Sequence, residues 1–324
     1  MPDIFFYEAF EEEQRLLKHY LPNNIQAGYT KLTIQEYGAD IPPARIISTR
    51  VQSILPESWF DEVDGFLTRS TGYEHLHRYM KKYNKRVPAG HLPIYCHRAV
   101  AEHALMLWMS LLRRLPKQQQ QMNTFNRDNI TGSECQNKKL LVVGVGNIGS
   151  QIVQIGKGLQ MNVRCVDLIH KFPEETYVEI EEGIKTADII VCAMNLNETN
   201  FGYFNEDLLR RAKTGVIFVN VSRGEISHSE ILLKLVKEEH LGAVGLDTFH
   251  KEEHLAVALR NQEKSEDPEI QATLELMKLS NVICTPHNAF NTEESTDRKA
   301  SQSIEQTIHF LEHGTFRWPI PELK

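Results

Sequence analysis

Three ionisable residues, far apart in the 324-residue chain, each follow a short apolar run. Arg223 lies in Asn220-Val221-Ser222-Arg223-Gly224, Glu252 in Leu246-Asp247-Thr248-Phe249-His250-Lys251-Glu252, and His287 in Thr285-Pro286-His287. Apolar runs without alternation suit parallel strands covered on both faces. Open α/β sheets bind ligands beyond the carboxyl ends of their strands. An Arg, a Glu and a His gathered there are what the reduction of a 2-oxo acid requires.

A second constellation precedes them. Gly144-Val145-Gly146-Asn147-Ile148-Gly149 follows the apolar run LLVV and opens the amphipathic segment SQIVQIGKGL. A bare GxGxxG is common by chance, but between a strand and a helix it marks a dinucleotide turn. The first glycine permits the tight turn, the second lets the backbone approach a pyrophosphate, and the third lets helix and strand pack closely. Free N–H groups and the positive helix end would receive the phosphates. Asp167 ends the next run, VRCVD, close to the roughly 20-residue offset expected of a ribose-binding acid. A carboxylate there accepts from ribose hydroxyls and repels a 2′-phosphate, so the expected cofactor is NAD and not NADP.

These residues need a scaffold. After Lys139 the chain alternates apolar runs (TADIIVCAM, GVIFVNVS, AVGLDTF, NVICTPH) with helical segments such as NEDLLRRAK and SEILLKLVKEE. That alternation predicts a doubly wound parallel sheet. The first region is mixed α/β, with strands expected in IFFY at 4–7, ARIIST and DGFLTRS, and a helix in EAFEEEQRLLKHYL. The run EEE at 11–13 reads as a solvated helix face. A long apolar helix is expected from Arg98 to Leu115, stopped by Pro116. His103 would cap or pack it. The glutamine-rich stretch beyond would be a linker or an exposed arm. A last helix should end at Gly314.

Composition narrows the class. With 41% apolar and 24% charged residues the chain reads as a globular protein. A net charge of -7 argues against a nucleic-acid surface. No run approaches the roughly 18 apolar residues of a membrane helix, and the N-terminus lacks a signal-peptide pattern. The expected setting is the cytoplasm, with no membrane or nucleic-acid partner. Cys96, Cys135, Cys165, Cys192 and Cys284 form no CxxC pair, so buried reduced thiols are expected and no metal site.

Taken together, the three strand-end segments resemble the D-isomer-specific 2-hydroxyacid dehydrogenase family, over nearly the whole chain. The likeness includes Ala101-Glu102-His103-Ala104 and the glycine turn. Leu92-Pro93-Ile94-Tyr95 and Pro286-His287-Asn288-Ala289-Phe290 resemble the D-lactate and D-2-hydroxyisocaproate dehydrogenase branch. The resemblance implies that Arg223 holds the substrate carboxylate and carbonyl oxygen with its planar guanidinium. It makes His287 the general acid and base, and Glu252 the carboxylate that orients its ring and stabilises the protonated form. Ser70, Thr71 and Gly72 would form a carboxylate-binding loop. Tyr95 and Phe290 would be either pocket aromatics or packing residues. Asp247 would partner the nicotinamide carboxamide. Ala193, Met194, Thr199, Val221 and Ser222 would join Gly144, Gly146, Asn147, Ile148, Gly149 and Asp167 at the cofactor.

The resemblance also implies an architecture. Residues 1–100 and 294–324 would form a smaller flavodoxin-like α/β substrate domain, and residues 101–293 a Rossmann NAD domain. A cleft between them would hold nicotinamide against substrate, and the long helix and NAD domain would make a homodimer. The expected reaction is reduction of a small, pyruvate-like 2-oxo acid. Alternatives are a hydroxypyruvate, glyoxylate or phosphoglycerate enzyme, or an NAD-sensing binding protein. Three departures from the family pattern stand out: Cys192-Ala193-Met194 in place of a His-Val-Pro segment, His228 where an acid is common, and Asn291 where an aromatic residue often follows Phe290.

Overall fold

The computed structural model describes residues 1–262 and 264–322. The chain divides into two units, Met1–Cys96 with Asn291–Lys324, and His97–Phe290.

The first unit carries five strands, β1 (Ile4–Phe6), β2 (Ala27–Tyr29), β3 (Ile46–Thr49), β4 (Gly65–Thr68) and β5 (Ala89–Gly90). All pairings are parallel, in the order β2-β1-β3-β4-β5. That is the flavodoxin-like order. The two edge strands escape sequence reading because they are two or three residues long and contain Gly28 and Gly90. Backbone pairing, not apolar pattern, makes them strands.

The helix Glu11–Tyr20 packs along the helix Glu293–His313, and Gly314 ends the latter in a left-handed conformation. Here the reading of 11–13 as a solvated face is corrected. Glu11 and Glu12 are exposed, but Glu13 shares a face with buried Leu17 and is itself buried. Its Oε1 accepts from Arg69 Nε at 2.9 Å and Lys299 Nζ at 3.1 Å. Arg69 also donates to Ser48 Oγ at 3.0 Å and to the Tyr7 carbonyl at 2.6 Å, tying the ends of β1, β3 and β4 together. Burial would raise the Glu13 pKa, but Arg69 and Lys299 prevail and hold it down at about 2.

The second unit carries β6 (Lys139–Val143), β7 (Asn162–Val166), β8 (Ile189–Cys192), β9 (Val216–Asn220), β10 (Leu241–Leu246) and β11 (Val282–Cys284). They form one parallel sheet, β11-β10-β9-β8-β6-β7. β8 is almost wholly buried, as its unbroken apolar run requires. The helix His97–Leu112 lies against the helix Asn147–Gly158 and strands β9 and β10. Gly245 makes this close approach possible, since a Cβ there would sit 3.1 Å from Leu107 Cβ. On the other face Phe204, Phe218, Leu232, Leu235 and Leu246 share a core.

Pro116 does not stop the long helix. The helix ends at Leu112, Arg114 turns left-handed at φ 52°, and Pro116 sits in the first turn of a new helix, Leu115–Met122. Proline is tolerated there because first-turn amides have no intrahelical acceptor. The glutamine-rich stretch 118–129 is therefore helical as far as Met122 and turn or coil beyond it.

Candidate active site

The sheet of the second unit changes direction between β6 and β8, with β7 beyond one and β9 beyond the other. Such a switch point opens a crevice at the carboxyl ends of the strands. The glycine turn occupies it. Gly144 has φ +92°, and a Cβ on it would lie 2.6 Å from Met194 N and 2.7 Å from Ala193 C. The loop after β8 therefore touches the turn after β6, and these predicted residues come together. A Cβ on Gly149 would fall 1.9 Å from the Gly144 carbonyl, so the helix can start here only with glycine. At Gly146 an added Cβ would meet nothing within 4 Å. The cradle is open where a pyrophosphate would approach, at the start of the helix Asn147–Gly158. Ile148 lies in its first turn. Asp167 Oδ2 accepts from Val145 N at 2.6 Å, bracing the turn from the end of β7. The residues present fit a dinucleotide.

The other cofactor expectations divide. Val221 and Ser222 are buried beyond β9, and the Ser222 hydroxyl bonds Asn220 Oδ1 at 2.9 Å and meets Cys192 Sγ at 3.1 Å. Thr199 lies on an exposed turn, its hydroxyl donating to Asn197 Oδ1 at 2.7 Å. Burial pushes the Cys192 thiol up to about 11, and Cys165 and Cys284 up to about 12. These are protonated packing thiols. None of the five cysteines is joined in a disulfide, and Cys284 is the least buried of them.

β9, β10 and β11 are adjacent, with Leu246 in register with Asn220 on one side and Cys284 on the other. Arg223, Glu252 and His287 each follow one of these strand ends. Asn220 shapes the Arg223 loop: its Nδ2 donates to the Arg223 carbonyl at 2.9 Å and to Ser227 Oγ at 2.8 Å. Gly224 lets this loop press against the next, since a Cβ would lie 1.9 Å from Phe249 C. Arg223 itself is half-buried, with Nη1 donating to the Ser222 carbonyl at 2.8 Å.

Glu252 begins the helix Glu252–Asn261, and its two carboxylate oxygens lie 2.8 and 3.0 Å from His287 Nδ1. A carboxylate only accepts, so Nδ1 carries the proton and Nε2 is left for chemistry. The pair is about one-third exposed, the side chains at 32% and 38%. Asp247, 1% exposed, accepts from Thr285 Oγ1 at 2.6 Å and from the amides of Asn288 and Ala289 at 2.9 Å each. Sequence reasoning named Asp247 only for the cofactor. It missed this bracing role and the parts of Asn220 and Gly224. His103 neither caps nor merely packs its helix, because its Nε2 reaches Thr285 Oγ1 at 2.9 Å.

The expected substrate residues fall in both units. Thr71, Gly72 and Tyr95 belong to the first, and Phe290 to the second. Ser70 Oγ donates to the Gly72 carbonyl at 2.6 Å and Thr71 Oγ1 to the Leu92 carbonyl at 3.2 Å, giving that loop a set shape. Tyr95 is 5% exposed, and burial raises its hydroxyl well above its ordinary pKa.

A dinucleotide turn at a switch point, with an Arg, a Glu–His pair and a buried Asp beyond neighbouring strands, defines a nicotinamide-dependent dehydrogenase. The family described as D-isomer specific 2-hydroxyacid dehydrogenase, NAD binding domain, matches residues 105–289. The chain belongs to that family and is an NAD-dependent oxidoreductase acting on the CH–OH group of 2-hydroxy acids. It is 29% identical to the D-lactate dehydrogenase of Escherichia coli over 232 residues, 69% of this chain and 68% of that one. It is 31% identical to a 2-hydroxyacid dehydrogenase homolog of Zymomonas mobilis over 243 residues, 72% of this chain and 71% of that one. Among solved structures, D-2-hydroxyisocaproate dehydrogenase shares the fold with a TM-score of 0.85 at 23% identity, covering 98% of this chain and 99% of that one. D-lactate dehydrogenase from Aquifex aeolicus, complexed with NAD and lactic acid, gives 0.82 at 24% identity, covering 96% of each.

Proposed function

We propose that the chain reduces a small, pyruvate-like 2-oxo acid to its D-2-hydroxy acid, with His287 as the general acid. The observation that carries this reading is the His287–Glu252 pair, at 2.8 and 3.0 Å, beyond the strand next to the one that leads to Arg223. NADH supplies the hydride when bound. Arg223 holds the carboxylate and polarises the carbonyl, in a fork geometry that lysine lacks. His287 Nε2 gives its proton to the carbonyl oxygen, and Glu252 stabilises the imidazolium that serves as the donor. In the oxidising direction the neutral ring takes the hydroxyl proton. Phe290 would line the substrate site from the same unit as Arg223 and His287, while the 70–72 loop and Tyr95 are the substrate residues that the family likeness implies in the first unit. Asp167, at the ribose position, favours NAD over NADP. The relatives named D-lactate dehydrogenase and D-2-hydroxyacid dehydrogenase support the small-acid reading.

Oxidation of NADH with pyruvate, branched and aromatic 2-oxo acids, hydroxypyruvate and glyoxylate tests this directly. Pyruvate or a close analogue should give the highest kcat/KM. His287→Ala should lose roughly 10²–10⁴-fold in kcat while still binding NADH. Full turnover in that variant removes His287 as the acid, and NADH binding without turnover on any acid removes the enzymatic reading.

The proposal extends to a cytoplasmic homodimer. Met106, Leu115, Met122 and Phe125 are exposed apolar residues along one stretch, 41–73% accessible, and such a run marks a contact surface. Sedimentation equilibrium should return twice the chain mass; a single-chain mass at micromolar concentration removes the dimer.

A further inference from the structure

We infer that His103, on the helix His97–Leu112, is a positioning residue that locks the loop carrying His287 through a directed relay, His103–Thr285–Asp247. This rests on the reading of His287 as the acid.

The direction follows from proton counting. Thr285 Oγ1 lies 2.6 Å from Asp247 Oδ1 and 2.9 Å from His103 Nε2. A threonine hydroxyl has one proton. The buried carboxylate can only accept, so it takes that proton. Thr285 Oγ1 must then accept from His103, which places the imidazole proton on Nε2. Burial lowers the His103 pKa against the opposing pull of Asp247, which favours a neutral ring. His103 Nε2 also stands 3.5 Å from Asp247 Oδ1. Protonating the ring would leave the Nε2 donor in place.

The relay bears on His287 through the loop. Asp247 grips Thr285 before His287 and the amides of Asn288 and Ala289 after it. Between these grips His287 adopts φ 49°, in the left-handed region. A residue with a side chain occupies that region at a cost and stays there only when its surroundings over-determine it. The Asp247 carboxylate is one such restraint, beside the Glu252–His287 pair and the bond from the His287 amide to the Thr285 carbonyl at 2.9 Å. Thr285 sets the rotation of that carboxylate, and His103 sets Thr285. Without His103 the hydroxyl is free to turn to the Leu246 carbonyl, 3.4 Å away. The grip on the front of the loop is then lost and His287 Nε2 drifts from the carbonyl oxygen.

Four single variants of the full chain test this. His103→Gln keeps a donor at the position of Nε2 and should rescue kcat nearly to wild type. His103→Leu and Thr285→Val should lower kcat roughly 10- to 100-fold, as a misplaced catalytic group does, with NADH affinity unchanged. Thr285→Ser should behave as wild type. Combining His103→Leu with Thr285→Val should cost no more than the worse single change, because both break one relay. Equal losses in His103→Gln and His103→Leu, or full kcat in His103→Leu, overturn the inference. Nitrogen-15 spectra of wild type give a readout independent of turnover. His103 should carry a proton on Nε2 at pH 7; a ring protonated on Nδ1 alone overturns the relay. Should His287→Ala retain turnover, the acid assignment falls alone. The relay is then judged by the His287 ring signals, which should move in His103→Leu and not in His103→Gln; ring signals unmoved in His103→Leu would overturn it.

Discussion

Both units gather charged side chains beyond the carboxyl ends of a parallel sheet, yet they treat them in opposite ways. In the first, Glu13, Arg69 and Lys299 have side chains at most 4% exposed and spend their hydrogen bonds on one another and on strand ends. In the second, Glu252 and His287 stay about one-third exposed, and one ring nitrogen is left over. The lesson is that charge at a strand end does not by itself mark chemistry. Buried and paired with one another, such charges are structural. Partly exposed, with one ring nitrogen unspent, such a pair is available to a substrate.

The contrast can be broken by experiment, and the largest effect should come from the structural side. Glu13→Gln leaves two buried cations without a counter-charge, and breaking such a pair typically costs about 3–5 kcal/mol. Urea denaturation should show that loss, whereas His287→Ala should unfold close to wild type. Acid titration sharpens the point. The Glu13 pKa is lowered in the folded chain, so its contribution is complete above the ordinary value of 4.5 and disappears as pH falls towards about 2. Wild type should lose stability across that window and Glu13→Gln should lack this slope. An identical slope in both places the charge elsewhere. A smaller effect is expected at Gly146. Ala there should fold normally, because its Cβ meets nothing within 4 Å, yet should weaken NADH binding by obstructing the pyrophosphate. A lower melting temperature with unchanged NADH affinity would reverse the roles assigned to this glycine.

Much of the second unit was legible in the sequence for a physical reason. Buried parallel strands write themselves as continuous apolar runs, and the residues at their ends are read off directly. The glycine turn was legible because each glycine answers a separate steric demand. The first unit was less so. β2 and β5 carry little apolar signal, and Glu13 reads as surface until Arg69 and Lys299, distant in sequence, are seen around it. Its spacing of four from Leu17 was the available clue. Pro116 misled because proline both ends one helix and starts another. His103 and Thr285 could not be paired from sequence, since nothing local links a helix residue to the end of β11.

The way the first unit is assembled from both ends of the chain has a temporal consequence. Phe316 covers Gly90, the Ile320 amide pairs with Ala89 at 2.9 Å, and the helix Glu293–His313 lies along Glu11–Tyr20. A ribosome makes residues 97–290 before it makes those closing segments. At roughly 5–20 residues per second, the opening strands wait for many seconds, part of their apolar surface bare, while the dinucleotide-binding half is being made. Nascent chains of this protein should depend on chaperones most in that interval.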